Sequence, residues 1–236
     1  GAPPARAAGS ASYASDTRGA PTAPPLRAFM LAYNAVAALF SMYCFWQSVN
    51  VMRRLPIKSG DCDLFARDAT FRSVITLFYL SKYPEFLDTV FLIVRAKPVS
   101  WLHYIHHIGA PVDMGLLAHT NTEVGWIFVL LNGFIHTIMY SYYGFALAGV
   151  KLGFLRPVIT SGQIIQFLTG FTIIWSYKNV PCYGGDPAQM VSWWYNYIYV
   201  GTVFFFFAWF FVKNYLSKKT RAKKPAAAAK LAAKVQ

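Results

Sequence analysis

Six apolar stretches, near 28–49, 70–95, 99–118, 124–148, 157–177 and 191–212, constrain the chain more than any other feature. Each is long enough, as a helix, to cross a bilayer core of roughly 30 Å. In lipid no water satisfies backbone N–H and C=O groups, so a chain with this pattern spans as helices. It therefore reads as an all-α polytopic membrane protein. Composition agrees, with 56% hydrophobic and 13% charged residues, against about 25% charged in a soluble domain. The second stretch is the least clean, because Arg72, Lys82, Glu85 and Asp88 interrupt it. Pro84, which has no backbone donor, predicts a kink there.

An even number of spans puts both ends of the chain on one side. Fifteen Lys and Arg fall on that side and five on the other, with Arg72 and Lys82 inside a span. Positive charge concentrates on the cytosolic side, so both termini are expected in the cytosol. The net charge of +13 does not indicate nucleic acid, since the basic residues lie between and after apolar spans. Three regions follow. Residues 1–27 form a disordered cytosolic segment, small, Pro-rich and aperiodic in composition, whose Arg, Ser and Ala content also suits a transit peptide. Residues 28–212 form the six-span domain. Residues 213–236 form a basic tail expected to lie against anionic headgroups.

Ionisable side chains within a span cost about 2.5–3.5 kcal/mol each at mid-helix, so they usually face a cavity and serve a purpose. Here they recur in helical steps. Lys82, Glu85, Asp88 and Thr89 share a face of the second span. His103, His106 and His107 do so on the third, Asn132, His136, Met139, Tyr140 and Tyr143 on the fourth, and Thr160, Gln163 and Gln166 on the fifth. At 1.5 Å per residue most of these lie on the order of 6–12 Å below the cytosolic surface, with His136 and Gln166 deeper. Four polar stripes in one layer imply a hydrated chamber open to the cytosol. Blander readings stand beside this one. Lys82 and Glu85 could be an ion pair that only holds the helix, Tyr142 and Tyr143 an interfacial belt, and His119 a packing residue.

His-x-x-His-His on a helix can be a metal box, and membrane di-iron enzymes use several such boxes. This chain has five histidines and a single box. The expectation is no metal and no bound cofactor, with imidazole as nucleophile and general base and with amides and hydroxyls holding an oxyanion. A desaturase or hydroxylase, and a transporter with a proton-relaying core, are the rival classes. The transporter would need polar residues through the lumenal half of its spans.

The segments KYPEFLDT (82–89), HYIHH (103–107), NGFIHTIMYSYY (132–143) and TSGQIIQ (160–166) resemble, in order and spacing, the four signature motifs of the ELO family of very-long-chain fatty acid elongases. IHHIGAPVDM, NVPCY and SWWYNYIYVGTVFFF are most similar to algal and protist members acting on polyunsaturated acyl-CoAs. The resemblance implies a 3-ketoacyl-CoA synthase of the endoplasmic reticulum membrane. Such an enzyme joins acyl-CoA to malonyl-CoA with release of CO2 and CoA. It works beside the ketoreductase, dehydratase and enoyl reductase of the elongation cycle, and further copies of the chain are compatible with it. Saturated or monounsaturated acyl-CoA remains the alternative substrate. The implied fold is a ring of six helices around a tunnel closed on the lumenal side, the family's extra N-terminal helix being absent before residue 28. The expected catalytic set is His106 as nucleophile, His103, His107 and His136, with Asp88 orienting His107, together with Glu85, Lys82, Asn132, Gln163 and Gln166. Tyr140, Tyr143, Lys97, Lys151 and Arg156 are expected to bind substrate, the basic residues taking the CoA phosphates. Trp126 and Phe128 are candidates for the tunnel floor. Cys62 and Cys182 both fall in loops assigned to the oxidising lumen and are expected to form a disulfide, while Cys44, within a span, stays reduced.

Overall fold

In a computed structural model, residues 23–217 are described apart from 57, 59, 60 and 62. The described residues contain helices and turns and no strand. In chain order they are α1 (Pro24–Arg54), α2 (Leu64–Arg67), α3 (Ala69–Ser81), α4 (Phe86–Val94), α5 (Trp101–Thr120), α6 (Gly125–Ala148), α7 (Leu155–Ser176), α8 (Cys182–Gly185) and α9 (Pro187–Phe211). A π-helical turn, Val212–Leu216, extends α9. The 1–27 and 213–236 assignments fall largely outside the described residues.

Local chemistry sets the boundaries. Asp68, Ser100 and Asp186 each accept a hydrogen bond from a backbone N–H of the first turn that follows, of α3, α5 and α9 respectively. Such caps satisfy donors that a helix start otherwise leaves open. Gly149, at φ +104°, ends α6 in the left-handed region, which costs glycine nothing.

The expected second span, 70–95, is two helices rather than one. Residues 82–85 run as successive short turns, with Lys82 N–H on the Tyr79 carbonyl, Tyr83 on Leu80 and Phe86 on Tyr83. Pro84 offers no N–H to a continuous ladder, so the kink becomes a break. At 13 and 9 residues, α3 and α4 are individually short. Among the described residues three helices are long and apolar enough to cross a membrane, namely α1, α7 and α9 with its extension. The 20-residue α5 and 24-residue α6 have the length, but their histidines, Asp113, Asn132 and tyrosines dilute the apolar character.

Polarity is distributed as lipid demands. Val36, Ile93, Ile108, Ile165 and Phe205 are more than 60% exposed, whereas Asn34, Ser41, Ser48, Lys82, Asp113, Asn132, His136 and Asn196 are buried. A water-facing surface would reverse that preference. Helix α1 packs along α6, α6 against α7, α7 against α9, α9 against α5, α5 against α3, and α3 against α1. Helices α1 and α6 approach closely at Gly133, where a Cβ would meet the Ser41 carbonyl oxygen at 3.0 Å and the Phe45 nitrogen at 3.1 Å. Small interfacial residues of this kind let membrane helices approach backbone to backbone.

The large aromatic core gathers at the end where α5 and α7 finish and α6 and α9 begin. There Trp126 Nε1 donates to the Tyr177 hydroxyl at 3.1 Å, and that hydroxyl donates to Glu123 at 2.9 Å. Phe65, Tyr183 and Trp193 pack into the same core. Towards the opposite end lie His103, His106, His107 and His136.

Candidate active site

The turn 82–85 is the anchor of the site. Lys82, 3% exposed, donates to Glu85 Oε1 at 2.6 Å and to Asn132 Oδ1 on α6 at 3.4 Å, and its ammonium lies 4.0 Å from the centre of the Phe78 ring. A buried ammonium needs such partners to hold its charge. Because the chain restarts as α4 just beyond, adjacent residues there face different neighbours. Asp88 Oδ2 accepts from the Tyr140 hydroxyl of α6 at 2.8 Å, while Thr89 Oγ1 hydrogen-bonds His103 Nε2 of α5 at 2.8 Å. The expected Asp88–His107 pairing is therefore replaced by Asp88–Tyr140. His107 instead stacks on His103, with ring centroids 4.0 Å apart.

From there a chain of rings crosses the site. His107 stands edge-on to His106 at 5.4 Å, His106 lies 6.3 Å from His136, and His136 lies 5.6 Å from Tyr140. Tyr33 of α1 closes this side, its ring 6.0 Å from Tyr140. His136 is buried, and His103, His106 and His107 of α5 are half-buried. Pro111, inside α5, removes the N–H that would otherwise bond the His107 carbonyl.

Helix α7 supplies the amides. Gln163 Nε2 reaches Met139 Sδ of α6 at 3.6 Å, and Gln166 Oε1 is buried with no hydrogen-bond partner among the described residues. Gln166 and Asn132 line one small cavity, otherwise walled by Ile127, Phe128, Leu131, Phe167, Gly170 and Val200. Polar groups thus border an apolar space, with Phe128 in its wall. Trp126 lines a separate small cavity with Ser48, Phe71 and Ile75.

The basic residues expected at the mouth divide. Burial, with Arg95 and Arg156 nearby, pulls the Lys97 ammonium below its ordinary pKa. Arg156 Nε donates to the Tyr142 hydroxyl at 2.8 Å. Lys151 is exposed on the α6–α7 connection, and Tyr143 packs edge-on against Tyr140 and Tyr142. His119 bonds the Gly115 carbonyl through Nδ1 at 2.7 Å, well away from this cluster along α5. Cys44 is buried and free, whereas Cys182 is in a disulfide; Cys62 lies outside the described residues.

Three contributors escaped the sequence reading. Tyr33 and Tyr199 gave no signal among fifteen tyrosines. Tyr199 on α9 touches His106. Asp113 carries a signal in the sequence, being an ionisable residue within a span. It is buried, and both its oxygens accept from Asn196 Nδ2 at 2.9 Å.

Chemically the cluster offers neutral-capable imidazoles, amide and hydroxyl donors, and one lysine–carboxylate pair. Among the described residues no group of three or more His, Cys, Asp or Glu is placed to hold a metal ion.

The sequence matches the profile of the ELO family, described as the GNS1/SUR4 family, over residues 10–223. It is 35% identical over 169 residues to a protein named Very long chain fatty acid elongase 4 of Trypanosoma cruzi, covering 69% of this chain and 58% of that one. A second Trypanosoma cruzi protein of that name is 30% identical over 214 residues, covering 86% and 75%. The human Very long chain fatty acid elongase 3 is 33% identical over 165 residues, covering 67% and 59%. The chain thus spans 58–75% of the length of these relatives. With a family match that runs from before α1 to beyond α9, and so contains every residue of the cluster, the chain belongs to the ELO family.

Proposed function

We propose that the chain is the condensing enzyme of fatty acid elongation, joining a long-chain acyl-CoA to malonyl-CoA to give 3-ketoacyl-CoA, CO2 and CoA. The observation that carries this is the convergence of the 82–85 turn and three helices, α4, α5 and α6, on one imidazole cluster, through Lys82–Asn132, Asp88–Tyr140, Thr89–His103 and His106–His136. In this reading α1, α3 with α4, α5, α6, α7 and α9 are six spans in a ring, an arrangement supported by the cyclic order of neighbours. The acyl chain lies in a tunnel continuing the apolar cavity beside Asn132 and Gln166, closed at the Trp126–Tyr177 end. The protein sits in the endoplasmic reticulum membrane with both ends of this chain cytosolic, beside the reductases and dehydratase of the cycle. The CoA phosphates meet Lys97, Lys151 and Arg156.

The reaction runs in two steps. A His106 ring nitrogen attacks the thioester carbonyl and CoA leaves as thiolate, giving an acyl-imidazole. Malonyl-CoA then loses CO2, and the resulting enolate attacks the acyl carbon, freeing the imidazole. Asn132, Gln163 and Gln166 stabilise developing oxyanions, and His103, His107 and His136 move protons. Polyunsaturated acyl-CoA is the favoured substrate. The test is purified protein in detergent with a panel of acyl-CoAs and [2-14C]malonyl-CoA. Labelled 3-ketoacyl-CoA, with yield highest for polyunsaturated chains, is expected. Equal or better use of saturated chains overturns the substrate class, and no product from any chain overturns the activity.

A further inference from the structure

Tyr199 lies on α9, outside the four motifs. Its hydroxyl donates to the backbone carbonyl of His106 at 3.1 Å and stands 3.3 Å from Nδ1 of the same residue's ring. The two helices are shaped around this contact. Gly109, three residues beyond His106, leaves room for the Tyr199 ring, and a Cβ there would collide with the ring edge. Tyr195, one turn earlier on α9, stacks near-parallel on Tyr199 with centroids 6.2 Å apart.

A phenol has one hydrogen, and a carbonyl can only accept. With that hydrogen on the His106 carbonyl, a phenol lone pair faces Nδ1 and is satisfied only if Nδ1 carries the imidazole proton. The opposite tautomer would set two acceptors, the carbonyl and a bare Nδ1, against one hydrogen. A neutral imidazole has a single N–H, so Nε2 then holds the free lone pair. We infer that Tyr199 is a positioning residue that holds His106 as the Nδ1–H tautomer, making Nε2 the atom that is acylated. The inference rests on the acyl-imidazole reading above.

The electrons balance. Nε2 adds to the thioester carbon, the C–S bond breaks, and CoA departs as thiolate, later protonated by water. The adduct is an N-acylimidazolium whose Nδ1–H still points at the Tyr199 oxygen. When the enolate attacks, the C–Nε2 bond breaks, its electron pair returns to Nε2, and neutral His106 is restored. Tyr199 therefore faces the positive ring in the intermediate, and its loss acts on the acylation step.

The experiment is rapid-quench intact-mass analysis of the protein with acyl-CoA alone. Tyr199→Phe keeps the ring against Gly109 and removes the hydroxyl. Acylation is expected to slow at least tenfold, against the drop of about 10⁴-fold seen where a triad histidine is left in the wrong tautomer, with the concentration dependence on acyl-CoA unchanged. In 15N-histidine-labelled protein, the His106 signals, assigned by difference from His106→Gln, are expected to show a protonated Nδ1 in the wild type and mixed tautomers in Tyr199→Phe. Gly109→Ala, which displaces the ring but keeps the hydroxyl, slows the same step, and combined with Tyr199→Phe adds nothing further. If Tyr199→Phe does not fold, Gly109→Ala and the wild-type spectrum decide. Acylation at wild-type rate in both variants, or a wild-type proton on Nε2, overturns the role of Tyr199. Condensation without any wild-type adduct overturns the acyl-imidazole reading instead.

Discussion

The Tyr140 hydroxyl bridges α6 to Asp88 on α4 at 2.8 Å while its ring packs on His136 and Tyr33. Tyr140→Phe keeps those ring contacts and strips Asp88 of a donor. Losing a hydrogen bond to a half-buried carboxylate costs about 1.5–3 kcal/mol, so the condensation rate should fall at least tenfold, if roughly 1.4 kcal/mol of that appears in the barrier. Radiometric assay with malonyl-CoA measures it, and retention of the thermal transition confirms the fold. With acyl-CoA alone, the adduct should vanish in His106→Ala and persist at reduced yield in Asp88→Asn, since Asp88 acts through Tyr140 rather than on the acyl group. At the mouth, Lys97 is held among Arg95 and Arg156, a crowding that bound phosphate would relieve. Lys97→Gln is expected to raise KM for acyl-CoA several-fold with kcat unchanged. The wild-type advantage should shrink at about 1 M salt, where screening acts within roughly 3 Å.

Elements hold these residues in place through a few contacts with little slack. Gly133 sits between Asn132 and the turn that carries His136, and it abuts the α1 backbone. Gly133→Ala forces α1 and α6 apart, at a cost of about 1–3 kcal/mol for overpacking. It should lower the thermal midpoint and the condensation rate together. Asp68 caps α3 and pairs with Arg54 at 2.8 Å, tying α3 to the end of α1. Burial alone would raise its pKa, but the Arg54 guanidinium and the Phe71 N–H outweigh burial and hold the carboxyl below its ordinary range. A depressed carboxylate contributes stability above its unfolded pKa, near 3.9, and loses it as pH falls through the folded value. Asp68→Ala should therefore destabilise by about 0.5–2 kcal/mol at neutral pH, the usual range for a lost cap. The difference from wild type should close below about pH 4, followed by thermal unfolding in detergent.

Over the whole molecule, the proposed tunnel makes product length a measurement of depth. Phe128 lines the cavity shared by Asn132 and Gln166. Phe128→Ala should shift products towards longer chains, read by mass spectrometry of the acyl-CoA pool; an unchanged distribution removes Phe128 from the floor. Trp126 is a poorer probe, because Trp126→Ala also breaks its bond to Tyr177 and lowers stability. The Cys62–Cys182 bridge is proposed to close that end, and an unreduced digest should release the two peptides linked.

What the sequence determined by itself was periodic or local. Apolar runs longer than a bilayer fixed an all-helical chain, and polar residues at three- and four-residue steps marked faces that meet in the imidazole cluster, because burying such groups in lipid without a partner is costly. The tertiary structure decided which partners those groups take. Pro84 broke the second stretch so that Asp88 met Tyr140 and Thr89 met His103. It also decided that Tyr199, from α9, is the residue against His106, through space that Gly109 leaves open. Periodicity specifies which way a side chain faces along its own helix. Which neighbour stands opposite, and at what height, depends on helix order, breaks and close approaches, and these arise only when all the helices pack at once.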